Sequence, residues 1–375
     1  MRCGIEKVPM GYQVLYRKYR PKDFSEVVGQ DHIVSVIRRQ VEHGRVAHAY
    51  LFSGPRGIGK TSVARLIAKA TNCTSANSKD KPCNTCPSCE VFNAGQALNL
   101  IEIDAASNRG IDEIRELREA VRFAPAGGGS KVYIIDEVHQ LTKEAFNALL
   151  KTLEEPPAHV VFVLATTELD KVPATIVSRT QHFGFRRPRQ QVISDRLLAI
   201  AKSEGVALAP DAAGTIAFAA EGSMRDAESM FGKIMAVEDK AITMAEVEEI
   251  LGIPKREALI QLFGHIAKRE LKEGIELVNR LYHDGYEMEY LTKMLISFFR
   301  DALMAKVAGE GAVSGGSLLP ERGALEAHLT GFSADAMADA ITELIEALAS
   351  SKRSPIPQLP LELALISIIH GKAAA

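Results

Sequence analysis

The 375-residue chain contains no run of about 18 apolar residues, the length a membrane-spanning helix needs. Its first residues, Met1 to Met10, also lack the apolar stretch of a secretory signal. A cytoplasmic protein with no membrane partner is the expectation. Charge of one sign is not in excess: 45 Lys and Arg stand against 47 Asp and Glu, so the total of -2 offers no argument for a polyanionic partner. Cysteine is scarce and odd in number, at 5, which in a reducing compartment argues against a disulfide framework. Neither an internal repeat nor a heptad series is found, which leaves no solenoid and no coiled coil to consider.

What is present is ordinary globular material. A hydrophobic fraction of 46% and a charged fraction of 25% argue against long disorder, and the length allows two or three domains. The near-neutral total conceals an asymmetry: residues 1–188 carry 26 Lys and Arg against 20 Asp and Glu, and residues 189–375 carry 19 against 27. From His48 to about Arg186, apolar or β-branched runs (Ala49–Ser53, Leu98–Asp104, Val132–Asp136, Val160–Thr166, Gln181–Phe185) alternate with amphipathic segments (Thr61–Ala70, Asp112–Arg122, Lys143–Glu155). That alternation predicts an α/β domain with a parallel five-stranded sheet covered by helices. After Arg187-Pro188 the strand signal disappears, and helical periods follow at Gln190–Glu204, Ala212–Ala220, Met224–Val237 and Met244–Leu251. From Pro254 onward the chain reads as all helix, interrupted by the Gly-rich loop Gly309–Ser317. Three parts are expected: 1–188, 189–252 and 253–375.

The segment Gly54-Pro55-Arg56-Gly57-Ile58-Gly59-Lys60-Thr61 matches the phosphate-loop pattern in full and lies between an expected strand and an expected helix. Glycines let successive backbone N–H groups turn inward, and the helix start adds its positive end, so phosphates are held largely by main chain. Lys60 would neutralise β/γ-phosphate charge, and the Thr61 hydroxyl would ligate Mg²⁺. Val132-Tyr-Ile-Ile-Asp136-Glu137 is an apolar strand ending in two carboxylates, at the sheet edge where ligands gather. Asp136 would serve the Mg²⁺ shell and Glu137 would polarise the attacking water. A third strand ends in Thr166-Thr167, whose hydroxyls fall at the same edge.

Gly54–Thr61, Asp136-Glu-Val-His139, Leu164-Ala-Thr-Thr167, Ser178-Arg179 and Gly222-Ser-Met-Arg225-Asp226 occur in an order and spacing that resemble an AAA+ ATPase of the clamp-loader type. Leu15-Tyr-Arg-Lys-Tyr-Arg-Pro21, Ile103-Asp-Ala-Ala-Ser107 and Phe146-Asn-Ala-Leu-Leu-Lys-Thr-Leu-Glu-Glu-Pro-Pro157 are similar, closer still, to the gamma/tau subunit family of bacterial DNA polymerase III. The resemblance is strong over residues 11–235. It implies an AAA+ P-loop NTPase domain, a small helical lid and an all-α collar. It also implies an adenine and ribose pocket around Tyr16, Arg17, Tyr19, Arg20, Pro21 and Val28, with Ser62 extending the phosphate loop. Thr166 becomes the γ-phosphate sensor, with Thr167 the neighbouring alternative. Arg225 becomes the lid arginine acting in cis, and Arg179 an arginine finger acting on a neighbouring subunit.

Cys73, Cys83, Cys86 and Cys89 are spaced C-x9-C-x2-C-x2-C, a pattern that fits a closed tetrahedral zinc site within residues 73–89. An Fe–S cluster uses the same ligand type; the resemblance favours zinc. Cys3 is left as an incidental thiol.

Ser107, Asn108, Arg109 and Lys143 sit just before helices, where N–H groups and cations can meet phosphates without reading bases. Through the resemblance they become DNA contacts, and the implied partners are other clamp-loader subunits in a ring-like hetero-oligomer, a sliding clamp and primer-template DNA. The function so implied is ATP-driven loading of the clamp within DNA polymerase III. A DNA helicase or remodelling ATPase of the same superfamily is the alternative. No nucleotidyl-transfer constellation is present, so polymerase activity would belong to the wider assembly.

Overall fold

The computed structural model describes residues 13–125, 128–237, 241–308 and 332–370. Cys3 and the Gly309–Ser317 loop lie outside the described residues. The chain divides into two compact units, Met1–Ile200 with Ala220–Gly232, and Ala201–Ala219 with Lys233–Ala375. Segment 189–252 therefore contributes to both.

The first unit is built on five parallel strands: β1 (Ala49–Ser53), β2 (Leu100–Asp104), β3 (Lys131–Asp136), β4 (Val160–Thr166) and β5 (Gln181–Gly184), in the order β2-β3-β4-β1-β5. The expected strands and helices of this unit agree with the observed ones to within a residue or two. β1 and β4 are buried along their whole length, which is why they read as continuous apolar runs. The α-helices described up to Glu204 are α1 (Leu15–Lys18), α2 (Asp31–Glu42), α3 (Lys60–Thr71), α4 (Pro87–Asn93), α5 (Ile111–Val121), α6 (Lys143–Glu154), α7 (Ala174–Val177) and α8 (Gln190–Glu204).

Strand alternation feeds two apolar layers. Tyr50 and Phe52 face Ile33 and Ile37 of α2 and Val63, Leu66 and Ile67 of α3. Leu51 faces the other way, with Tyr133, Ile135 and Phe162, toward Ile114 and Leu117 of α5 and Leu149 and Leu153 of α6. The register sets Ser53 beside Thr166 and Asp104 beside Asp136, so the carboxyl ends of four strands form one edge. α6 starts where the Thr142 side chain accepts a hydrogen bond from the Ala145 N–H, and it stops before Pro156-Pro157.

In the second unit the expectation that strands cease after Pro188 is corrected. β6 (Ala207–Leu208) and β7 (Ala241–Ile242) pair in parallel. Two residues each are too few to show a period, so no sequence signal marks them. The helices are α9 (Pro210–Ala219), α10 (Met224–Met235, beginning in the first unit), α11 (Met244–Leu251), α12 (Arg256–Ala267), α13 (Leu271–His283), α14 (Met288–Ala308), α15 (Ala334–Ser351) and α16 (Leu359–His370). α11 is framed by a Thr243/Glu246 capping box and by Gly252 in the left-handed region. Phe263, Phe298 and Phe299 form the aromatic centre, with ring centroids 4.9 and 4.8 Å from Phe263.

Candidate functional site

Between β1 and α3 the backbone turns through Gly54, Gly57 and Gly59, whose φ angles are 135°, 77° and 103°. A Cβ at Gly57 would lie 2.0 Å from Ser223 Oγ, so the close approach of the loop to the start of α10 also demands glycine. Lys60, the first residue of α3, is 6% exposed. Its ammonium donates to the Gly54 carbonyl at 2.6 Å and the Pro55 carbonyl at 2.8 Å. Burial lowers its pKa, while Glu137 and Asp136 act in the opposite sense. Thr61 Oγ1 donates to Asp136 Oδ2 at 3.0 Å.

Glu137 follows β3 in the left-handed region, at φ 48° and ψ 45°. Its Oε2 accepts from Thr167 Oγ1 at 2.9 Å and from the Thr167 N–H at 3.2 Å. His139, a buried imidazole, has Nδ1 3.0 Å from Thr166 Oγ1 and 3.4 Å from Glu137 Oε2, and Nε2 3.1 Å from Glu168 Oε1. Thr166 is fully buried, and its hydroxyl also exchanges hydrogen bonds with the Glu168 backbone. The two threonines thus differ: Thr167 holds the carboxylate, and Thr166 holds the turn behind it.

Lys60, Thr61, Asp136 and Glu137 open onto a cavity of ≈ 580 Å³ within the first unit, whereas His139, Thr166 and Thr167 stand behind its wall. Of the residues singled out from sequence, Tyr16, Arg20, Pro21, Val28, Arg56 to Ser62, Asp136, Glu137 and Arg225 line it. Arg225 places its guanidinium carbon 4.7 Å from the Tyr16 ring centroid, and its backbone N–H reaches the Gly57 carbonyl at 3.2 Å. Hydrogen bonds to Arg225 and Arg17 hold the Tyr16 phenol below its ordinary pKa. Gly54 and Pro55 lie beneath Lys60, and Tyr19 contributes its carbonyl, which accepts from Arg196 Nη2 at 2.7 Å.

Sequence reasoning missed Asp104, Glu26, Val27, Arg196 and Glu228, which line the same cavity. Arg196 Nε stands 3.6 Å from Glu228 Oε1. Burial pushes the Glu228 carboxyl up to about 7, with Arg196 and then Arg20 opposing. In sequence the pair looks like two helix-surface charges, and only the packing of α8 beside α10 joins them. Asp104, the last residue of β2, could have been found by the rule that strand carboxyl ends carry ligands.

Two groups lie apart. Arg179 is not in the cavity lining. Its guanidinium donates to Glu154 Oε1 (Nε, 2.8 Å), to the Thr175 carbonyl at 2.9 Å and to Ser178 Oγ at 3.2 Å. Ser107, Arg109 and Lys143 are exposed and Asn108 is half-buried; Ser107 Oγ donates to Asp104 Oδ2 at 3.1 Å and Asn108 Nδ2 to the Asp104 carbonyl at 2.9 Å. The Thr142 N–H donates to the Arg109 carbonyl at 3.1 Å, which ties this loop to the start of α6 and so to Lys143.

Cys73, Cys83, Cys86 and Cys89 have all their sulfurs within 4.8 Å of one another. Cys83 Sγ is 4.0 Å from Cys89 Sγ, and Cys86 Sγ is 3.9 Å from Cys73 Sγ. A Zn–S bond of about 2.3 Å gives a tetrahedron whose edge is about 3.8 Å, close to the separation of these two sulfur pairs, so the cluster is compatible with zinc. Backbone N–H groups of Cys83, Cys86 and Cys89 point at sulfurs at 3.3 to 3.4 Å. Burial raises the Cys86 thiol, but hydrogen bonds from Thr74 and Cys89 outweigh it and bring the thiol down to about 5. Burial pushes Cys89 up. Cys73 and Cys89 are buried, so the module is rooted in the first unit.

With this geometry in hand, three family models match successive stretches: "DNA polymerase III, delta subunit" over residues 29–189, "DNA polymerase III clamp loader subunit, ATPase lid domain" over 192–245, and "DNA polymerase III subunits gamma and tau domain III" over 242–374. DNA polymerase III subunit gamma of Buchnera aphidicola subsp. Schizaphis graminum is 39% identical over 297 residues, which cover 79% of this chain and 82% of the relative. The chain belongs to the DNA polymerase III gamma and tau subunits. Subunit tau of Bacillus subtilis is 40% identical over 374 residues, 97% of this chain and 65% of the relative. Subunit tau of Escherichia coli is 41% identical over 299 residues, 80% of this chain and 46% of the relative. The chain therefore spans about half to two-thirds of the length of the tau subunits it matches. Among solved structures, the Holliday junction branch migration motor RuvB of Thermotoga maritima covers 66% of this chain and 79% of its own, at 20% identity and a TM-score of 0.48. This chain's own family matches give it an AAA+ P-loop domain followed by lid and helical C-terminal parts. Among the described residues, no helix is long and apolar enough to cross a membrane.

Proposed function

We propose that this gamma and tau family member is an ATP-hydrolysing motor subunit of a replicative clamp loader. The observation that carries the reading is the Thr61 Oγ1 to Asp136 Oδ2 contact of 3.0 Å at the mouth of the phosphate loop. It brings a hydroxyl and a carboxylate together as a hydrated divalent ion requires. Bound there, Mg²⁺ would neutralise charge between the β- and γ-phosphates; Thr61 and Asp136 would hold it. Lys60 exchanges the Gly54 and Pro55 carbonyls for phosphate oxygens. Glu137, fixed by Thr167 and flanked by His139, orients the attacking water. Arg225 reaches the phosphates from α10, and Tyr16, Arg20, Pro21 and Val28 close on the nucleoside. Thr166 acts on the γ-phosphate through His139 and the turn at Glu168 rather than from the cavity wall.

Arg179 serves the ATP of a neighbouring subunit in a ring-like hetero-oligomer; its distance from its own cavity is in keeping with that role. Ser107, Asn108, Arg109 and Lys143 contact the DNA backbone at the primer-template junction. The four cysteines hold one zinc ion. Functionally the chain divides into an ATPase part (1–188), a lid (189–252) and a collar (253–375), and it acts in the cytoplasm on the sliding clamp. ATP favours the state that grips clamp and DNA, and loss of the γ-phosphate releases them, a ligand-biased population shift. The test is a Lys60→Ala variant titrated with a fluorescent ATP analogue. Binding should be lost, and normal affinity would remove the site.

A further inference from the structure

Lys69 lies inside α3 and is 4% exposed. Its ammonium donates to the Lys22 carbonyl at 2.9 Å, to Asn93 Oδ1 at 2.5 Å and to Asn84 Oδ1. An ammonium has three N–H groups, and each has an acceptor, which offsets the cost of burying the charge. No carboxylate is among the three partners. The acceptors come from three separate segments. Asn84 stands between Cys83 and Cys86, and Asn93 is the last residue of α4, one turn past Cys89. Lys22 follows Pro21, a cavity residue.

The Lys22 position is held on its other side too. Its N–H donates at 2.8 Å to Glu26 Oε2, and Glu26 also lines the cavity. Phe24 and Val27 on the same segment are anchored in the core. The helix that carries Lys69 begins at the phosphate loop and ends two residues before Cys73. One buried cation thus joins the cysteine module to the chain that forms the nucleoside end of the cavity.

We propose that Lys69 is a positioning residue that couples the cysteine module to nucleotide binding. With the four sulfurs gathered on their metal, Asn84 and Asn93 hold the ammonium against the Lys22 carbonyl, and Arg20-Pro21-Lys22 is set for the nucleoside. When the module opens, the ammonium loses two of its three acceptors, and it can no longer stay buried at that position without cost. The proposal rests on the zinc and nucleotide readings above. Because coupling is reciprocal, bound nucleotide also tightens metal binding by the same factor.

The test uses the full chain, a fluorescent ATP analogue with excess magnesium, and a zinc-selective chelator, with metal per chain measured alongside affinity. Stripping the metal should weaken the analogue by about 30-fold, the middle of the usual range for such coupling. Lys69→Met should keep its metal, bind the analogue as weakly as the stripped protein, and lose little more on stripping. Nucleotide should raise the metal affinity of the parent chain, read by competition with the chelator, and not that of the variant. Should Lys69→Met fail to fold by circular dichroism, Asn93→Leu removes one acceptor while leaving α3 intact, and a several-fold loss of affinity is expected. A metal-loaded variant with unchanged affinity overturns the proposal, as does a stripping effect of equal size in parent and variant. A chain that never holds metal, yet loses affinity on Lys69→Met, refutes the zinc reading and leaves the positioning role standing.

Discussion

Lys60, Thr61, Asp136 and Glu137 come from two strand ends far apart in sequence, and the roles assigned to them differ enough to be separated by substitution. Glu137→Gln keeps the shape and the hydrogen bond from Thr167 but removes the charge that orients water. ATP binding should survive while turnover falls by about 10²–10⁴-fold, the usual share of a general base, as equilibrium titration and phosphate release on one preparation will show. Glu228 gives a pH signature. Its folded-state pKa, about 7, lies above the ordinary value of 4.5, so the folded state binds the extra proton between the two. Stability therefore falls as pH rises from about 4.5 to about 7, and the cost persists above that, at roughly 3 kcal/mol for such a shift. Glu228→Gln should raise the midpoint of urea unfolding at pH 8 and leave it nearly unchanged at pH 4.5. Roles of single residues were legible where type and spacing form a motif, as at Gly54–Thr61. They were illegible at Lys69, Arg196 and Glu228, since a Lys, Arg or Glu on a helix reads as a solvated charge until the neighbouring segments are placed.

At the scale of elements, the five strands and the helices between them were readable because both periods are local properties of the chain. Strand order was not. β1 sits between β4 and β5, and nothing in its own sequence specifies those neighbours. The strands β6 and β7 were missed because they are only two residues long. The cysteine spacing marked the four-sulfur cluster, while the burial of Cys73 and Cys89 had no sequence signal. Neither core layer of the sheet includes a cysteine, so the sheet does not depend on the metal for its packing. Chelation should therefore open residues 74–90 to limited proteolysis while the far-ultraviolet circular dichroism of the sheet and helices persists. Global unfolding on chelation would contradict this.

For the whole molecule, the near-zero net charge is the sum of an excess of base in residues 1–188 and of acid in 189–375. The basic half holds the phosphate loop and the group at Ser107 to Arg109 and Lys143, as the proposed contacts with ATP and DNA require. Arg179 belongs to this scale, because its proposed work needs a second subunit. Arg179→Ala should bind ATP normally and lose about 10³–10⁵-fold in turnover within the assembled complex, measured against the same variant's affinity. The central claim is that ATP turnover by this chain is harnessed to a clamp and to primed DNA. Steady-state ATP hydrolysis by the chain reconstituted with its partner subunits tests it most directly. The rate should rise on adding sliding clamp and primed DNA together and vanish in Lys60→Ala. A rate indifferent to both additions, or one that survives Lys60→Ala, would contradict the account.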